Sequence, residues 1–198
     1  MQKINTQLKS PHLELAHSYW QKRVFPRDIV IDATAGGGYD SVVLASLALR
    51  KDGGKLLIFD IQNEALEKTK AQLERHYSED ILKRIELHHS CHSHLLRHVE
   101  PRSVQLIVYN LGYFPGGDKT ITTQCSTTLH SVQAALEAVR PGGLVSITCY
   151  PGHAEGQREE EMLLEFARSL EKELFLVCFH RFVNREKAPS LLLIERMF

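Results

Sequence analysis

The chain has 198 residues, enough for one α/β domain with a sizeable core and too few for two domains of ordinary size. An apolar content of 43% and a charged content of 24% are those of a globular protein, and the longest apolar runs are strand-sized, which argues against a membrane span. Lysine and arginine together number 24, as do aspartate and glutamate, so bulk charge neither demands nor forbids nucleic acid and any RNA must meet a local basic patch.

In chain order, apolar residues at helical spacing over 10–24 (Leu13, Leu15, Ala16, Tyr19, Trp20, Val24) predict a helix that Pro26 stops. A strand near 28–33, a helix over 39–49, a strand over 55–60 and a helix over 63–77 follow. Next come a strand over 84–88, a short helix over 92–99 and a strand over 104–109. The second half reads as a loop over 111–123, a helix over 125–139, the turn Arg140-Pro-Gly-Gly143, a strand over 144–149 and a loop over 150–156. A helix over 157–171 and strands over 174–180 and 190–196 close the chain. Seven strands alternating with helices predict a single Rossmann-like α/β domain with a mostly parallel sheet. The last two strands are joined by about ten polar residues and no helix, too little for a parallel crossover, so the last strand should run antiparallel. The expected order is 3-2-1-4-5-7-6, the class I methyltransferase variation on that sheet.

In an open α/β sheet the ligand crevice lies beyond the carboxyl ends of the strands. After the first strand come Asp32, Thr34, Ala35, Gly36 and Gly38, a glycine turn that lets backbone N–H groups approach a ligand. Its spacing is not the G-x-G-x-x-G of a dinucleotide site, no P-loop lysine follows, and Asp32 is a poor neighbour for a pyrophosphate. A donor with a cationic end, S-adenosylmethionine, fits better than NAD. Asp60 at the tip of the second strand should take ribose hydroxyls, Ile61 should lie against adenine beside Gln62, and Ser90 and His92 should reach the adenine edge.

The segment Asn110-Leu-Gly-Tyr-Phe-Pro-Gly-Gly-Asp-Lys-Thr120 follows the fourth strand. Asn110-Leu-Gly-Tyr113 stands where methyltransferases acting on base amino groups place Asn-Pro-Pro-Tyr, with Leu111 and Gly112 replacing both prolines. Asn110 is accordingly expected at both cofactor and target nitrogen, with Asp118 or His153 as proton acceptor. Tyr113, Gly116, Lys119, Thr120 and Tyr150 are expected on the substrate. The run His88-His-Ser-Cys-His-Ser-His94 invites a metal reading, but a strand that turns into a helix sends its side chains apart, so no metal site is expected. Cys91, Cys125, Cys149 and Cys178 contain no C-x-x-C pair and fit buried thiols in a reducing, cytoplasmic compartment. Arg181, Arg185 and Lys187, with Lys22, Arg23 and Arg27, are candidate contacts to an RNA backbone.

The glycine turn, Asp60-Ile-Gln62, the Asn-Leu-Gly-Tyr segment and Tyr150-Pro-Gly-His153 together resemble the MnmM (formerly YtqB) family of small class I methyltransferases, from about residue 12 to 196. The resemblance implies S-adenosylmethionine-dependent N-methylation of the aminomethyl group of 5-aminomethyl-2-thiouridine at the wobble position, with the tRNA anticodon loop as partner and no membrane. Two departures stand out: Gly37-Gly38-Tyr39 replaces the family's Asn-Gly-His, and Ser90-Cys-His92 replaces Asp-Ser-His, which removes a charge from the adenine edge. A methyltransferase for another RNA base or a small amine, and a cofactor-binding RNA protein weak in catalysis, are left open, as is a homodimer.

Overall fold

A computed structural model describes residues 10–112 and 122–198. Its elements are α1 (Pro11–Arg23), β1 (Ile29–Asp32), α2 (Tyr39–Ala48), β2 (Lys55–Asp60), α3 (Asn63–His76), α4 (Glu79–Leu82) and β3 (Ile85–His89), then a 3-10 helix (His92–Arg97), β4 (Val104–Asn110), α5 (Cys125–Ala138), β5 (Val139–Cys149), α6 (Ala154–Arg168), β6 (Phe175–His180) and β7 (Ser190–Arg196). One seven-stranded sheet has the order β3-β2-β1-β4-β5-β7-β6. β1 to β5 pair in parallel, while β7 runs antiparallel to both β5 and β6, as the short β6–β7 connection requires.

Both faces of the sheet are covered, and the strands feed two cores by simple alternation. Val30, Leu56, Ile58, Leu106 and Val108 point toward α1, α2 and α3, where Trp20, Leu44 and Leu73 pack. Ile31, Leu57, Phe59, Ile107 and Tyr109 point the other way, toward Leu95, Val132 and Leu163 of the 3-10 helix, α5 and α6. Trp20 is 1% exposed, and its indole N–H donates to the Ser146 hydroxyl of β5 at 2.9 Å. That bond satisfies the polar end of a large buried ring and fixes α1 across the sheet.

Three boundaries differ from the sequence reading. Arg140-Pro-Gly-Gly143 is not a turn between elements but a bulge within β5, because pairing resumes at Leu106 with Leu144 after Val104 with Val139. α6 starts at Ala154 because His153 caps it, its Nδ1 accepting from the Gly156 N–H at 3.1 Å. α4, a single turn after Ser78, has too few residues to show a helical period. Of the thiols, Cys149 alone is buried; Cys91 and Cys125 are half-buried and Cys178 is exposed on β6, correcting the expectation of general burial. No described helix is long and apolar enough to cross a membrane.

Replacing Trp20 with alanine leaves a large cavity and an unpaired Ser146, and is expected to cost about 3–5 kcal/mol. Urea denaturation of the two proteins checks this.

Candidate active site at the carboxyl rim of the sheet

The turn after β1 is tied to the tip of β2 by its own backbone. The Ala35 N–H donates to the Phe59 carbonyl at 3.0 Å, and the Gly36 N–H donates to Asp60 Oδ2 at 3.0 Å. Asp60 Oδ1 takes the Gln62 N–H at 2.8 Å. Gly36 (φ 52°) and Gly38 (φ 78°) sit in the left-handed region, and a Cβ on Gly38 would come within 2.7 Å of the Thr69 Cα of α3. Gly38 therefore lets the turn press against α3, the role of a helix-packing glycine. Beside Asp60, Ile61 is 49% exposed, an apolar surface open at the rim.

Asp32 lies deeper than a ligand contact would. It is fully buried, accepting from the Ser41 hydroxyl at 2.6 Å and the Thr34 N–H at 3.2 Å, so its bonds hold the turn to α2. Burial raises its pKa from the ordinary 3.8 to about 7; the Ser41 bond opposes the rise and the charge of Asp40 adds to it.

Asp40, the second residue of α2, is the centre of the rim. Its Oδ1 accepts from His17 Nε2 of α1 at 2.7 Å, and its Oδ2 accepts from Asn110 Nδ2 at the end of β4 at 2.5 Å. The Asn110 N–H donates to Thr34 Oγ1 at 2.7 Å, while among the described residues Asn110 Oδ1 is buried without a partner. The charge of Asp40 also reaches Tyr150 and His12. Burial, helped by that charge, pushes the Tyr150 phenol up to about 12, and burial lowers His12 against it. The Tyr150 hydroxyl meets His12 Nε2 at 3.4 Å.

The histidine-rich run disperses. His88 stacks on Phe59, with ring centroids 4.8 Å apart, His89 Nε2 reaches the Ile61 carbonyl at 2.9 Å, and His94 Nδ1 faces the Ser90 hydroxyl at 3.3 Å. His92 turns inward with its ring edge-on to Tyr109 at 5.8 Å, where burial lowers its pKa to about 4.

The loop after β4 is closed at its base. Thr123 Oγ1 accepts from the Gly112 N–H at 2.9 Å and donates to Glu159 Oε2 at 2.8 Å, while the Thr128 hydroxyl donates to the other oxygen at 2.5 Å. Glu159 is 2% exposed, and burial raises its pKa against those two hydroxyl bonds. The expected substrate contacts Tyr113, Gly116, Lys119 and Thr120, and the expected acceptor Asp118, lie outside the described residues. His153 reaches this region as the cap of α6, with its Nδ1 lone pair already engaged by Gly156.

The six basic residues divide between opposite edges. Arg181, Arg185 and Lys187 are exposed in the β6–β7 connection, which leads into Ser190 opposite Cys149, one residue before Tyr150. Lys22, Arg23 and Arg27 lie at the far edge; Arg23 pairs with Glu195, and Arg27 Nε donates to the Asp52 carbonyl at 3.1 Å. The two groups therefore stand at opposite ends of the strands.

His17, Asp40 and Glu159 were not singled out in the sequence. Asp40 was visible beside the glycine turn, but only contact with Asn110 gives it a task. His17 shares a helical face with Trp20 and reads from sequence as core.

The sheet order, with the glycine turn stapled to an acid-tipped β2 and an asparagine with an open acceptor after β4, is that of the class I methyltransferase fold. Residues 56–196 match the profile of the family described as "Putative rRNA methylase", and the chain belongs to that family. This agrees with the resemblance carried by the Asn-Leu-Gly-Tyr and Tyr-Pro-Gly-His segments. An Arabidopsis thaliana protein described as "tRNA (mnm(5)s(2)U34)-methyltransferase, chloroplastic" is 35% identical over 182 residues, covering 90% of this chain; the chain spans 66% of that relative's length. The crystal structure of a protein described as an rRNA-methylase from Clostridium thermocellum is 31% identical with a TM-score of 0.88, covering 96% of this chain and 99% of that one. A Streptococcus mutans structure described as a methyltransferase in complex with SAH is 32% identical with a TM-score of 0.82, covering 94% and 98% of the two chains.

Because Asp32 keeps its proton in the folded state at pH values where the unfolded chain has lost it, its contribution to stability is complete below about pH 4 and is lost as pH rises through about 7. An Asp32→Asn protein lacks that loss. Denaturant titrations at intervals from about pH 4 to 8 should show the wild type losing stability relative to the variant as pH rises.

Proposed function

We propose that this protein transfers a methyl group from S-adenosylmethionine to the aminomethyl nitrogen of 5-aminomethyl-2-thiouridine at the wobble position of tRNA, in the cytoplasm. The observation that carries the amine chemistry is Asn110, whose Nδ2 is committed to Asp40 and whose buried Oδ1 has no partner among the described residues. An acceptor kept in that state suits an incoming N–H donor, because a buried carbonyl left unpaired is otherwise costly. The printed activity of the Arabidopsis relative supports the choice of nucleoside.

The residues present fit the methyl donor. Asp60 would hold the ribose hydroxyls with oxygens already oriented by Gly36 and Gln62, the exposed Ile61 would lie against adenine, and the turn Ala35–Gly38 would offer backbone N–H groups. Thr34 supports the Asn110 backbone, and Ser90 would reach the adenine edge, which the inward-turned His92 does not. When bound, S-adenosylmethionine supplies an electrophilic methyl carbon on a sulfonium.

The chain's own work is alignment. Asn110 Oδ1 accepts one amine N–H and thereby turns the nitrogen lone pair away from itself. Tyr150, its phenol pushed up to about 12 chiefly by burial, presents a protonated hydroxyl at the rim. Asp118 or His153 takes the proton released, and Tyr113, Gly116, Lys119 and Thr120 complete the substrate side. For His153 this requires giving up the Gly156 bond that caps α6.

The decisive experiment incubates the protein with S-adenosylmethionine and either tRNA carrying 5-aminomethyl-2-thiouridine or ribosomal RNA, then digests both to nucleosides for mass spectrometry. Methyl gain on the wobble uridine alone is the expected result; gain on ribosomal RNA alone overturns the reading. In the same assay Asn110→Ala should slow transfer on the order of 100-fold while changing cofactor affinity, read by calorimetry, by less than about threefold.

The exposed cations of the β6–β7 connection support RNA as the partner, standing on the same rim as Tyr150. Replacing Arg181 and Arg185 with alanine should weaken tRNA binding and flatten the slope of log affinity against log salt by about one for each arginine lost. The equivalent change at Arg27, on the far edge, should leave the slope unchanged; filter binding at several salt concentrations reads both.

A further inference from the structure

Asn110 has a carboxamide whose two ends are nearly alike in size, so something must decide which end faces the site. The carboxylate of Asp40 accepts hydrogen bonds and cannot donate them, so it takes the NH2 end and turns the carbonyl oxygen the other way. His17 occupies the remaining Asp40 oxygen from α1. His17 is 7% exposed and Asp40 8% exposed, so water does not compete freely for either bond. The His17 ring also lies 4.6 Å from the Trp20 ring, and Trp20 is bound to Ser146, so the chain of contacts ends in the sheet. On the other side, the Asn110 backbone is fixed by Thr34.

We infer that His17 and Asp40 are positioning residues that orient the Asn110 carboxamide, holding its Oδ1 toward the substrate amine. This rests on the methyl-transfer reading above, yet the orientation itself is a property of the unliganded protein and is testable without substrate. Neither residue is required to touch the methyl donor or the amine. An acceptor held toward the site favours a nitrogen that carries N–H and disfavours a group that can only accept.

Four comparisons decide the matter. In an amide nitrogen–proton spectrum, the Asn110 side-chain NH2 pair is assigned by its disappearance in Asn110→Ala; in the wild type it should be slow to exchange, and it should shift and exchange rapidly in Asp40→Ala. In single-turnover methyl transfer at saturating S-adenosylmethionine, Asp40→Ala should be at least about 30-fold slower, with cofactor affinity and the KM for tRNA each changed by less than about threefold. The double variant Asp40→Ala/Asn110→Ala should be no slower than Asn110→Ala alone, because the two residues act on one atom. His17→Gln, which keeps a donor for Asp40, should retain more activity than His17→Ala.

Wild-type turnover by Asp40→Ala, multiplying rather than overlapping losses in the double variant, or an NH2 pair indifferent to Asp40 would each overturn the assignment. Should Asp40→Ala fold poorly, Asp40→Asn serves in its place and is expected to lie between wild type and Asp40→Ala in both rate and NH2 exchange. If the wild type itself does not methylate the tRNA, the methyl-transfer reading fails while the spectrum still decides the orientation.

Discussion

Three carboxylates, Asp32, Asp40 and Asp60, are crowded at the carboxyl rim of a sheet covered on both faces, and each must be supplied with donors. Asp32 draws on Ser41 and Thr34, Asp60 on Gly36 and Gln62, and Asp40 on His17 and Asn110. These partners come from α1, α2, the first turn, the segment after β2 and the end of β4. Meeting the needs of the acids therefore assembles the site. Where donors fall short of full compensation, burial raises the pKa of Asp32.

The far side of the rim follows the same logic with one acid. Glu159 receives two threonine hydroxyls, and through Thr123 its influence extends to the Gly112 N–H, so both ends of the loop after β4 are drawn to α6. A carboxylate buried in this way is costly unless it is bonded. Its partners accordingly define where the loop begins and ends.

How much could be read beforehand depended on whether the signal was local. The sheet order and the antiparallel last strand were legible because alternation and connection length are local properties, and they dictate topology directly. The rim residues Asp60, Asn110 and Tyr150 were legible because they end a strand or directly follow one. The bulge at Arg140–Gly143 was not, since Pro and two glycines read equally well as a turn, and only the pairing of β4 with β5 across the segment tells them apart. His17 and Asp40 were hidden for another reason: 23 positions separate them, and Asp40 lies 70 from Asn110, so no window along the chain holds the set. The division of the basic residues between two edges was equally invisible, because α1 carries Lys22 and Arg23 away from the end that bears His12.

The match to the family begins at Leu56, downstream of α1, the glycine turn and α2. Yet His17 and Asp40 lie upstream of that boundary and bear on an asparagine within it. A hybrid protein joined at β2 would inherit the asparagine from one parent and its orienting acid from the other. Shuffling between relatives should accordingly succeed only where the amino-terminal helix and the glycine turn travel with β4 as one inherited unit.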